Sequence, residues 1–171
     1  MAGILTIHSK GTGELLSGHS WIEYVPDGGK AKTYGTWGNN PTGKGNGLFE
    51  NIELGMASDE SRSIHINDKQ EADLMKLIEE YKEKGDGGWG YLSPCSTFAA
   101  EAWETGTSES LSHRSGIISN PSKLKESIAT ANTKDKKKSI EKDLKPKPER
   151  PSSSRRNFGS AIQPCSVSSS S

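Results

Sequence analysis

Between Ser20 and Trp37 the chain spells out a hairpin. Ser20 to Val25 is a strand candidate, Pro26-Asp27-Gly28-Gly29 supplies the turn, and Lys30 to Trp37 returns. Proline presets the backbone angle of a turn, and Asp-Gly accepts the left-handed conformations that tight turns require. A hairpin commits its neighbourhood to an antiparallel sheet. Gly3 to His8, alternating and β-branched, is a strand before it, closed by a Gly11-Thr12-Gly13 turn. Asn51 to Leu54 and Ser61 to Ile66 are expected as two short strands after it.

Helices follow the strands. Asn67 with Gln70 three residues on has capping-box spacing, and Leu74, Leu77, Ile78 and Tyr81 form one apolar stripe that Gly85 ends. Ser93 caps a second helix with Pro94 at its first position, and Phe98, Ala99, Ala102 and Trp103 make its inner face up to Gly106. A third is expected from Asn120-Pro121 to about Ala131. Strands followed by helices predict an α+β fold, an antiparallel β-meander packed against helices.

Large apolar residues nearly vanish after Thr133. Residues 1–132 are therefore read as one domain, and 133–171 as a basic, Ser-rich, low-complexity tail expected to be disordered. The chain is neutral overall, yet residues 134–156 hold ten Lys/Arg against four Asp/Glu, so a +6 segment follows a −6 remainder. Such asymmetry suits a solvated tail or a contact with an acidic partner or membrane surface. Nucleic-acid binding is not expected, because acidic residues interrupt the basic run and Phe158 is the one aromatic nearby. The two cysteines, Cys95 and Cys165, do not form a secreted disulfide framework and point to synthesis in a reducing compartment. The N-terminus shows neither a Sec-type signal nor a transmembrane run, which leaves open export by a route needing no cleaved signal.

Two short segments about 75 residues apart carry the chemistry, Gly18-His19-Ser20-Trp21-Ile22 and Ser93-Pro94-Cys95-Ser96-Thr97-Phe98. Cys95 falls in the first turn of a helix, where the macrodipole and free N–H groups favour a thiolate, so it is the candidate nucleophile. His19 is the candidate general base, sharing a strand face with Trp21 and Glu23. An imidazole base needs a third group to hold it. Glu23 is roughly 13 Å along the strand; on the returning strand Thr36 and Asn39 are the polar options, and Thr36 is the candidate orienter. A backbone N–H at the helix start, helped by Tyr91, Ser93 or Ser96, would receive an oxyanion. His8, His65 and His113 are not assigned to the site, with His65 expected to face solvent. No Cys/His spacing suggests a metal, the Asn39–Gly47 loop lacks the Lys-Ser/Thr ending of a phosphate loop, and no cofactor is implied.

Taken together, Gly18-His19-Ser20-Trp21-Ile22, the strand Thr33-Tyr34-Gly35-Thr36-Trp37-Gly38 and Cys95-Ser96-Thr97-Phe98-Ala99 resemble the circularly permuted papain-like superfamily. It includes permuted NlpC-type cell-wall peptidases and lecithin:retinol acyltransferase-like enzymes. There the histidine strand precedes the cysteine helix. More narrowly, the chain resembles small effectors of bacterial type VI secretion that carry this fold. The resemblance spans about residues 3–105. It implies catalytic roles for His19 and Cys95, with Thr36 departing from the usual His, Asn or acidic third residue. It implies hydrolysis of an amide in a peptidoglycan stem peptide, with a host-protein glutamine or a lipid ester as alternatives. It also implies a protein made in the bacterial cytoplasm and secreted without a Sec signal. The rival expectation is a binding module with a vestigial site, engaging a target-cell or secretion-machinery protein.

Overall fold

A computed structural model describes residues 2–11, 18–90 and 94–144. The turn expected at Gly11-Thr12-Gly13, the Ser93 cap, Tyr91, Cys165 and the tail beyond 144 lie outside the described residues.

Five strands form one antiparallel sheet: β1 (Gly3–Gly11), β2 (Gly18–Pro26), β3 (Lys32–Trp37), β4 (Gly47–Glu50) and β5 (Glu60–Ile66), in the order β4-β3-β2-β1-β5. The first four are a meander. β5 then returns to pair with β1 at the opposite edge. Helices α1 (Asn39–Thr42), α2 (Asp68–Glu83), α3 (Cys95–Thr107) and α4 (Pro121–Leu144) complete the α+β fold, with a two-stranded ribbon of β6 (Arg114–Ser115) and β7 (Ile118–Ser119) before α4.

The pleat sorts the sheet into two faces. Pairs Leu5–Tyr24, Ile7–Ile22 and Ile22–Tyr34 share one face, and these residues join Leu74, Ile78, Phe98, Ala102, Trp103, Leu124 and Ile128 in a single core. The long helices therefore all cover this face. Leu74 and Ile78 are fully buried along the α2 stripe, each contributing about 1.5–3 kcal/mol by leaving water. The capping box at α2 is present in both directions, Gln70 N to Asn67 Oδ1 and Asn67 N to Gln70 Oε1, each at 3.0 Å. Asn120 Oδ1 accepts from Lys123 N at 2.7 Å and opens α4 in a similar way.

Several sequence expectations change; the Asn39–Gly47 loop carries helix α1 and opens strand β4 at Gly47, and three others follow. First, α3 begins one residue later than expected, with Pro94 as its N-cap and Cys95 in its first turn. Second, α4 does not stop near Ala131. It runs to Leu144, so the expected 132/133 boundary falls inside a helix. Arg62 on β5 explains part of this extension, bonding Asn132 Oδ1 at 3.2 Å and Asp135 at 2.7 Å while it holds Glu109 bidentately at 2.7 and 2.8 Å. Third, Asn51–Leu54 is not a strand. Asn51 takes φ 65° and Gly55 φ 77°, both left-handed, which breaks the extended run.

What replaces that strand positions the site. Residues 51–59 leave β4 at one sheet edge and reach β5 at the other, crossing the face that the long helices leave bare. Asn51 N bonds Thr33 O on β3, Glu53 reaches β2 and β3, Ser58 Oγ meets His8 on β1, and Asp59 N bonds Ser9 O. This strap turns Glu53 inward, 1% exposed, while Ile52, Leu54 and Met56 remain 42%, 49% and 37% exposed.

Candidate active site

His19 lies near the start of β2, on the strap side of the sheet. The β2–β3 ladder pairs Ile22–Tyr24 with Tyr34–Lys32, and the strands part beyond it toward His19 and Trp37. The α3 helix packs against β1, β2 and β3 from the other face, and its first residue, Cys95, lies close enough to His19 to bear on its protonation. The nucleophile's helix and the histidine's strand thus meet across the sheet where the hairpin opens.

Glu53 holds the imidazole from the strap. His19 Nε2 lies 2.9 Å from Glu53 Oε1, with both side chains almost wholly enclosed. The same oxygen accepts from Trp37 Nε1 at 2.6 Å, and Oε2 accepts from Thr33 Oγ1 at 3.0 Å. Burial by itself would raise the Glu53 carboxyl, but hydrogen bonds from His19, Trp37 and Thr33 and the imidazolium charge outweigh it and leave the group below its ordinary 4.5. Burial would likewise lower His19, yet its bonds to Cys95 and Glu53 and their charges hold it above 6.5. Both shifts favour the imidazolium–carboxylate pair.

The pairing also sets the tautomer. An ionised carboxylate only accepts, so Nε2 carries the hydrogen whenever His19 is neutral. The free lone pair is then on Nδ1, the nitrogen that Glu53 leaves unbound. That is the arrangement a general base requires. The N–H groups of Cys95 and Ser96 in the first turn of α3 have no partner within the helix, as in any helix start, and are available to an oxyanion.

Glycine at position 35 permits this closeness. A Cβ there would run into Glu53 Oε1 and stand 3.1 Å from His19 Nε2. Two indoles enclose the imidazole, Trp21 at 5.5 Å and Trp37 at 3.8 Å between ring centroids.

Of the residues singled out in the sequence, the structure brings His19 and Cys95 together and leaves Thr36 out. Thr36 has the parity of Tyr34 and so faces the helix-covered side, while Gly35 and Trp37 face His19. Its hydroxyl is buried without a hydrogen-bond partner. The group that holds the His19 imidazole is instead Glu53, a residue to which the sequence alone assigns no role. Asn39 is occupied elsewhere, accepting from Gly45 N at 2.8 Å, and Glu23 stays on β2 opposite Thr6. The signal for Glu53 was an acid between two apolar residues, Ile52-Glu53-Leu54. Read as a strand it puts the carboxylate in water, and the strap reverses that.

The other histidines have separate settings. His65 is exposed on β5. His113 Nδ1 meets Ser119 Oγ, which continues to Ser96 Oγ, each at 2.7 Å, and burial lowers this imidazole. Among the described residues no cluster of three or more His, Cys, Asp or Glu is placed to hold a metal ion, and no helix is long and apolar enough to cross a membrane.

No family model, curated protein or solved structure matches this chain. The functional reading therefore rests on the geometry of Cys95, His19 and Glu53 and on the motif resemblance.

Proposed function

We propose that this protein is a cysteine hydrolase that cleaves an amide bond, with a peptidoglycan stem peptide as its first substrate class. The observation that carries the proposal is the buried order Cys95–His19–Glu53, in which the carboxylate fixes the tautomer that leaves a lone pair for the thiol. In the first half-reaction the sulfur attacks the carbonyl carbon, and the C–N bond breaks. The thiol proton passes through His19 to the departing amine. In the second, His19 takes a proton from water, hydroxide displaces the sulfur from the thioester, and the proton returns to Cys95. The resemblance to small type VI effectors adds the biological setting we propose, a bacterial effector that leaves its cell by a signal-independent route.

A rival reading keeps the scaffold and drops the chemistry, making the protein a binder of a target-cell or secretion-machinery protein. It draws on the 5% exposure of Cys95. Muropeptides incubated with the wild type, C95A and H19A decide between them by mass spectrometry. A new amine and carboxylate with the wild type alone supports the hydrolase. A wild-type protein whose Cys95 alkylation rate against pH is the same as that of H19A refutes the pairing and with it the enzyme.

A further inference from the structure

Four aromatic rings run in a row beneath the strap. His8 stacks on Trp21 with centroids 5.0 Å apart and planes 10° from parallel. Trp21 stacks on His19 at 5.5 Å and 15°. Trp37 leans on the far side of His19 at 3.8 Å and 34°. Register builds the first half of the row, because His8 pairs directly with Trp21 across β1 and β2, and His19 follows Trp21's parity. Trp21 is 1% exposed although it lies on the face away from the long helices.

His8 is the end stop. Its Nδ1 meets Ser58 Oγ at 3.0 Å, five residues along the strap from Glu53. Its Nε2 is buried with no partner. A protonated His8 would bury an N–H without an acceptor and would place a second cation against Trp21. Burial holds the His8 imidazole below its ordinary value, so it backs Trp21 as a neutral plate.

We propose that Trp21 is a positioning residue for the catalytic histidine: its indole, backed by His8 and Ser58, fixes the plane of the His19 imidazole and favours the imidazolium over the neutral ring. This inference rests on the reading of His19 as the base for Cys95. Two constraints meet at one ring. Glu53 fixes where Nε2 points, and Trp21 fixes the rotation about that hydrogen bond, so Nδ1 stays on the thiol. The electron-rich face of an indole also attracts a cation, and the attraction grows where water is excluded. The titratable groups facing His19 are Cys95 and Glu53, while Lys10, its cross-strand neighbour, is exposed.

The test uses the full chain. Iodoacetamide alkylation of Cys95 is followed against pH on the Cys95 peptide by mass spectrometry, which keeps Cys165 separate, and His19 is titrated by NMR. W21L is expected to lower the His19 titration by about one pH unit and to slow alkylation near pH 6 about tenfold. W21F, which keeps an aromatic face, restores most of both. H8A, which removes the backing and leaves Trp21, shifts His19 in the same direction by less. W21L with a wild-type profile, while H19A abolishes the pH dependence, overturns the positioning role and leaves the hydrolase reading standing. H19A indistinguishable from wild type overturns the hydrolase reading itself. If W21L does not fold, H8A decides, and an unchanged His19 titration in H8A overturns the proposal.

Discussion

Replacing Glu53 by glutamine removes one charge and almost nothing else. Glu53 Oε1 takes hydrogen bonds from His19 and Trp37, and Oε2 takes one from Thr33. In Glu53→Gln the amide oxygen can occupy the Oε1 place and keep both N–H donors. The amide nitrogen then falls beside Thr33, whose hydroxyl can turn and accept. Shape and bond count survive, so the variant should fold. What changes is the strength of the hold on a charged imidazole. A hydrogen bond to a charged group is worth about 1.5–3 kcal/mol, against about 0.5–1.5 for a neutral one. The imidazolium also loses the carboxylate charge. A net loss of roughly 1.5–3 kcal/mol lowers the His19 titration by about one to two pH units and slows any step that passes through the imidazolium roughly ten- to a hundredfold. NMR titration of His19 and the pH profile of Cys95 alkylation read these effects without a known substrate. A His19 titration in E53Q within about 0.3 units of wild type, where one to two are expected, would refute the role assigned to Glu53.

Stability against pH should carry the same signature. His19 is held above its ordinary 6.5, so its contribution is complete below 6.5 and is lost as pH rises through its folded value. Glu53 is held below its ordinary 4.5, so its contribution is complete above 4.5 and is lost as pH falls through its folded value. The stability difference between wild type and E53Q, from urea melts, is therefore expected to be largest between these limits and to shrink on both sides; a flat difference counts against the pair. Thr36→Val removes a buried hydroxyl that bonds nothing, so it should raise stability by roughly 1 kcal/mol and leave the alkylation profile unchanged, whereas a lost profile would restore Thr36 to the site. Gly35→Ala forces a methyl against Glu53 Oε1 and His19 Nε2; thermal melts should show destabilisation by about 1–3 kcal/mol and alkylation should fall toward the H19A level, and an unaffected G35A would mean the triad is looser than described.

Elements whose signals are local could be read from the chain. The Pro26-Asp27-Gly28-Gly29 hairpin and the Asn67–Gln70 capping box depend on residues a few positions apart, and both stand where the pattern puts them. Cys95 was legible because a helix start is also a local event. The orienting acid was not, because its role depends on a crossover between opposite sheet edges. Alternation in Ile52-Glu53-Leu54 states that Glu53 and its neighbours point to opposite sides; which side is inside depends on the strap lying over His19. Thr36 is near His19 in strand position, but strand parity turns it to the opposite face. The end of α4 is not legible locally, because past Ala131 it continues through Asn132 and Asp135, held by Arg62 some 70 positions earlier in the chain, rather than on an apolar stripe.

The strap is a span anchored at both rims of the sheet, and its far anchor is β5, an edge strand. An edge strand is paired on one side only. Before it reaches β5 the span is also tied to β1, by Ser58 Oγ to His8 Nδ1 and Asp59 N to Ser9 O, so Glu53 is held over His19 by that whole rim. The Cys95–His19–Glu53 arrangement thus depends on a sheet edge as well as on the middle of the sheet. Arg62 makes that rim less weak, because it pins β5 to Glu109 after α3 and to Asn132 and Asp135 on α4. Asn132 and Asp135 on α4 thus brace from a distance the rim that holds Glu53.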